Sequence, residues 1–354
     1  MKDNESLIID YAKSIGIILV VMYHLKTGFF NVYHAYMYHM PLFFFIGGIL
    51  YKDRPFITTV VNSTKKQFFY LVYTFIILAI IGMLIESIFG IKNGNVYTGN
   101  LLDSIALAFK SNLSNNKLFI VAWFLLAYWL VSIAFSAAYK ILSLVKNTAL
   151  NRALIILVGL ALGYVAVNVF ADSYHLDKKI AKLILSQVCF GLMFYCAGFS
   201  LRNYIFDNLN IYSFIIITAL LLVLRNYGLA TSTGMSWAAY KDGFYVSTFT
   251  AFAGIYAVMF ISKLLALQGE MKLFREIGKS SRDIMSYHIL SFVILDIIFS
   301  YTLSYKIQGT DAYSNHFYDK WTWPVYSAVG VLLPTAVSYT YRAAKSYVLK
   351  SLTR

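Results

Sequence analysis

Ten apolar stretches, most of them close to twenty residues long, run through the 354-residue sequence. They fall at about residues 7–25, 36–51, 68–90, 118–139, 153–171, 180–201, 211–224, 244–262, 284–303 and 323–341. A helix of about 20 apolar residues crosses the hydrocarbon core of a bilayer. In lipid, a helix satisfies its own backbone hydrogen bonds, which an open strand cannot do. The expectation is an all-α, polytopic integral membrane helical bundle of about ten transmembrane helices. Residues 1–354 form one transmembrane domain in this reading. The composition agrees: 13% of residues are charged, against about 25% in soluble domains. The seventh stretch is short for a crossing. No internal repeat is visible, which weakens a transporter built on inverted halves.

A net charge of +14 invites a nucleic-acid reading, but the basic residues sit in short loops between apolar runs. There they set topology and meet anionic lipid headgroups. Membrane lipids are therefore expected partners and nucleic acid is not. Lys and Arg favour the loops on the side of both termini, which places both termini in the cytoplasm. The expected location is the plasma (cytoplasmic or inner) membrane. The short acidic start carries one lysine and no small-residue cleavage site, unlike a signal peptide. Cys189 and Cys196 would lie about 10 Å apart on one helix, too far for a disulfide. No Cys/His spacing suggests a metal site, and none is expected.

The first apolar run contains Asp10, Lys13 and His24. Eleven residues separate Lys13 from His24, which at 100° per residue returns the helix to within about 20° of the same face. Their axial separation is about 16 Å. Asp10 precedes Lys13 by one turn, near enough to pair with it. Ionisable groups are costly in hydrocarbon and turn toward the bundle interior or a wet cavity. The plainer alternative is that Asp10 and Lys13 snorkel to one surface and His24 to the other.

The next run begins His39-Met40-Pro41-Leu42-Phe43-Phe44-Phe45-Ile46-Gly47-Gly48. A basic residue, ten intervening residues and a histidine, followed by this motif, resembles the type-3 membrane acyltransferases. The closest likeness is to the fucose 4-O-acetylase-like branch. Trp123-Phe124-Leu125 looks like the family's Trp-Phe-Leu span. Gly278-Lys279-Ser280-Ser281, with Ile284 and His288, looks like its late motif. Gly47 stands where the family has serine, Met285 where it has tyrosine, and Leu71 where proline is common.

The resemblance implies transfer of an acyl group, most often acetyl, from acyl-CoA to a hydroxyl of a cell-surface or lipid-linked carbohydrate. Acetyl-CoA is then the donor co-substrate and a glycan the acceptor. Such transfer needs a base, and His24 suits the role because imidazole is largely neutral near pH 7. His39 is a helper that orients the acceptor or His24. Lys13 contacts donor phosphate or keeps a polar channel open, with Asp10 limiting the cost of its charge. Lys52, Arg54, Lys65 and Lys66, in loops on the inner side, are the cations for coenzyme A phosphates. His24, His39 and Trp123 fall toward the outer side, and His288 toward the inner side.

The outer connections 91–117, 225–243 and 304–322 are rich in polar and aromatic residues. Aromatic faces beside polar side chains suit a sugar ring. Trp123, Trp237, Trp321 and His288 are the candidate acceptor contacts. An interfacial aromatic belt explains most of these Trp and Tyr residues equally well. A transporter or flippase for a polyisoprenoid-linked sugar is the runner-up, because it too wants intramembrane charge and aromatic loops. A purely structural membrane subunit leaves the Lys13–His24 stripe unexplained.

Overall fold

The computed structural model describes residues 3–25, 34–231, 233–317 and 321–352. The helices are α1 (Asp3–Tyr23), α2 (His39–Ile49), α3 (Phe56–Phe89), α4 (Leu101–Lys110), α5 (Ala122–Leu142) and α6 (Thr148–Asp177). They continue with α7 (Ile180–Leu201), α8 (Ile211–Asn226), α9 (Gly243–Leu267), α10 (Lys272–Lys279), α11 (Ser281–Thr302) and α12 (Trp323–Leu352). Their boundaries have local causes. Asn100, Asn147 and Asn210 cap α4, α6 and α8 by accepting from backbone N–H groups of the first turn. Gly90 ends α3 at φ 71°, the left-handed geometry that glycine adopts without cost. The chain is an all-α, multi-pass membrane bundle; among the described residues only a two-residue hairpin, β1 (Thr233–Gly234) with β2 (Ala239–Tyr240), forms a sheet.

Every expected span coincides with a helix, but among the described residues seven of them are long and apolar enough to cross a membrane alone. The second is a single 3-10 turn, Ala35–Met37, followed by the 11 residues of α2. That helix is about 16 Å long, roughly half the hydrocarbon thickness. Every residue of α2 is buried, so neighbouring helices rather than lipid surround it, and a short helix is tolerated there. The eighth helix has 16 residues and faces outward, with Leu221 alone fully buried. The last, α12, is 30 residues long, contains Pro334 and turns polar toward its end.

Glycines let α2 lie against α7. A Cβ on Gly48 would collide with the Tyr195 carbonyl, and one on Gly198 with the Phe45 carbonyl. The two backbones therefore touch directly, as small residues permit in membrane bundles. Phe44 and Phe45 fill the space beside this contact and are almost wholly buried. At Gly47 a Cβ would lie 2.5 Å from the Tyr128 hydroxyl and 2.8 Å from the Tyr195 ring. A serine side chain has no room at that position, because Tyr128 already places a hydroxyl there.

Candidate active site

A cavity of about 260 Å³ opens where α1 ends and α2 and α5 begin. His24, His39, Trp123 and Trp237 all line it, together with Tyr23 and Tyr36. All three polar connections reach it. Asn112 and Ser114 come from the first, Thr233 and Ser236 from the second, and Tyr313 from the third. Backbone pairing holds the first and third together: Lys92 N donates to Thr310 O at 2.8 Å, and Ala312 N donates to Lys92 O at 3.0 Å. Asn93 fastens the following turn, with its carbonyl accepting from Lys117 N and its side chain from Leu118 N.

Two of the histidines have their tautomers set by backbone carbonyls, which can only accept. His39 Nδ1 lies 2.5 Å from Ala35 O, so Nδ1 carries the proton and Nε2 the lone pair. His288 Nδ1 lies 3.0 Å from Ile284 O and 2.9 Å from Met285 O. Its Nε2 is therefore also a lone-pair nitrogen, buried and without a hydrogen-bond partner. The His24 and His288 ring centroids are 5.0 Å apart, and Tyr313 stands 5.5 Å from His24 on another side. His288 does not take the position expected for it. It is fully buried, stands behind His24 and does not line the cavity. Seven residues of α11 rise about 10 Å and carry it from the helix start into the bundle.

Asp10 and Lys13 lie in the first half of α1, with Lys13 at the helix midpoint, about 16 Å along the axis from His24. Lys13 Nζ lies 2.7 Å from Asp10 Oδ1, as their spacing suggests, and Arg275 Nε lies 3.2 Å from Asp10 Oδ2. Neither Asp10 nor Lys13 lines the cavity. Arg275, which the sequence did not single out, ties α1 to α10 through this carboxylate. The late Gly-Lys-Ser-Ser motif serves the same junction. A Cβ on Gly278 would meet the Asp10 carbonyl, and Ser14 Oγ donates to Phe274 O at 2.5 Å. Ser280 Oγ accepts from Arg342 at 3.1 Å, and Arg342 also reaches Glu276 at 2.8 Å. Burial alone would raise the Glu276 carboxyl, but Lys279 and Arg342 outweigh it and hold the group below the usual carboxylate range.

The remaining expected residues divide plainly. Lys52, Arg54, Lys65 and Lys66 are exposed, and none lines the cavity. Lys65 and Lys66 sit on a π-helical segment of α3, Thr64–Phe68. Trp321 is 74% exposed and away from the cavity, so the belt reading fits it better than ligand contact. Trp123 is 7% exposed, held at the first turn of α5 while Phe124 packs edge-on against Phe44 at 5.1 Å. Asn112, Thr233 and Tyr36 were not legible as cavity residues, since nothing local in the chain distinguishes them.

These features define a multi-pass membrane protein with a small, histidine- and aromatic-lined cavity near one end of its bundle. The family model for an acyltransferase domain matches residues 7–343, and the chain belongs to that family, the type-3 acyltransferases. No curated protein and no solved structure matches it. The protein is thus a membrane acyltransferase.

Proposed function

We propose that this acyltransferase moves an acetyl group from acetyl-CoA to a hydroxyl of a cell-surface or lipid-linked carbohydrate seated in the cavity. The observation that carries the reading is the convergence of His24, His39, Trp123 and Trp237 on one small space. At about 260 Å³ it is smaller than most drug-sized ligand pockets, roughly 300–1,000 Å³. It suits a sugar ring with the acyl end of a thioester rather than a whole coenzyme A. The nucleotide end of the donor then rests on Lys52, Arg54, Lys65 and Lys66, at the cytoplasmic face. The Lys and Arg distribution supports that side, with both termini inside and the protein in the cytoplasmic membrane.

His24 removes the proton of the acceptor hydroxyl as its oxygen bonds to the thioester carbonyl. The C–S bond breaks, and the departing thiolate takes the proton back from the His24 imidazolium. His288 Nε2, an unpartnered lone pair 5.0 Å away between ring centroids, accepts a hydrogen bond from the transient cation and favours it. His39 Nε2 accepts from the sugar and orients it. Lys13, held by Asp10, keeps the inner half of α1 polar on the donor's side.

The test uses purified protein in detergent with radiolabelled acetyl-CoA and a soluble glycan acceptor. Label passing to the glycan in a His24-dependent manner supports the proposal. Glycan binding with no transfer of label defeats it and favours the transporter or flippase reading.

A further inference from the structure

One hydrogen-bond chain in the cavity wall plays no part in the histidine chemistry. It starts at the Ser236 backbone carbonyl, which can only accept. Gln187 Nε2 donates to it at 2.9 Å, which fixes the orientation of that amide. Gln187 Oε1 therefore faces Asn112 and accepts from Asn112 Nδ2 at 3.2 Å. The chain ends at Asn112 Oδ1, which is buried and has no partner. Thr233 Oγ1, on β1, is buried and unpartnered as well. Asn112 is 3% exposed and Thr233 1% exposed, and both line the cavity. Buried polar atoms are nearly always paired, so two unpaired ones at one small cavity are placed for a ligand's hydrogen bonds.

The backbone offers a plainer reason for Asn112, and it is incomplete. Asn112 has φ 51°. Its N–H reaches Phe109 O, and that of Leu113 reaches Ala108 O, closing a left-handed C-terminal cap on α4. Asparagine is tolerated there. That accounts for the residue's backbone, but not for the hold of its amide on Gln187 or for the spare oxygen.

Among the described lining residues, none is Asp, Glu, Lys or Arg. We infer that Asn112 and Thr233 are specificity-determining residues of an acceptor subsite for a neutral, hydroxyl-rich ring. Asn112 Oδ1 accepts from one ring hydroxyl, and Thr233 Oγ1 bonds a second. A ring carboxylate meets a repelling carbonyl oxygen at Asn112, and a ring ammonium loses its hydration without a counter-charge. This rests on the cavity being the acceptor site.

The test measures binding apart from catalysis. Neutral methyl hexopyranosides are titrated into the full-length protein in detergent, with a hexuronate and an amino sugar as charged controls, and quenching of tryptophan fluorescence is read. Asn112→Gly keeps the left-handed backbone and removes the amide, and Thr233→Val keeps the shape and removes the hydroxyl. Each variant should weaken neutral glycoside binding about tenfold, the value of one net hydrogen bond. Thr233→Val should melt at or above the parent's temperature, because it deletes an unpaired buried group, and it carries the test alone if Asn112→Gly fails to fold. Neutral glycosides that do not bind the parent, or that bind both variants as they bind the parent, overturn the inference. Equal binding of the charged sugars overturns it too. Binding with the expected losses but no acetyl transfer sinks the acyl-transfer proposal and leaves this one standing.

Discussion

The imidazoles of His24 and His288 stand with ring centroids 5.0 Å apart, although they come from opposite ends of the chain. His24 faces the cavity, and His288 lies behind it with Nδ1 locked onto two carbonyls of its own helix. The pair joins the exit of α1 to the middle of α11, and the chemistry proposed for the cavity depends on that junction.

Removing the base should be costly and specific. His24→Ala is expected to insert and fold, with acetyl transfer reduced about 10²–10⁴-fold, the usual share of general acid–base catalysis. His24→Gln should do no better, since an amide cannot take up the proton. His39→Ala should mainly raise the acceptor KM. Steady-state transfer of labelled acetyl checks all three; a nearly active His24→Ala beside an inactive His39→Ala would exchange their roles.

His288 acts through His24 and not on the sugar. His288→Phe fills the same buried space but removes the lone pair. It should lower kcat about 10-fold to 100-fold, the worth of a charge-assisted hydrogen bond, and leave the acceptor KM unchanged. A higher acceptor KM with unaltered kcat would return His288 to direct substrate contact.

The donor prediction concerns the exposed inner cations. Arg54→Ala and Lys66→Ala should each weaken acetyl-CoA affinity by about 1.5–3 kcal/mol if the side chain contacts phosphate. Thermal stability should hardly change, because both side chains are exposed. Donor affinity in detergent, measured calorimetrically, decides; parent-like binding in both variants removes the inner-loop site.

The contact between α2 and α7 should be intolerant of a single methyl group. A Cβ on Gly48 meets the Tyr195 carbonyl and the Phe199 backbone nitrogen. Gly48→Ala should therefore destabilise by about 1–3 kcal/mol, the usual cost of overpacking. Activity should fall as well, since α2 positions His39. Melting followed by size-exclusion chromatography reads the first effect, and an unchanged melting temperature would mean that the helices separate freely.

The membrane class and nearly all the helices are legible in the chain alone, because apolar length is a local property and each helix satisfies its own backbone. The sequence also brought out His24, His39, Trp123 and Trp237, the first three through motifs and the last through an aromatic connection. Asp10 and Lys13 pair within one turn, so their spacing sufficed. What stands around them follows from the packing of the bundle. Helical periodicity fixes a direction on one helix and says nothing about which distant helix will face it. Arg275 reaching Asp10, His288 standing behind His24, and Gln187 holding Asn112 each depend on how separate helices pack. The short α2 carries the same lesson. Its apolar run reads as a span, but its burial on all sides comes from backbone contact at Gly48 and Gly198, which only the assembled bundle supplies.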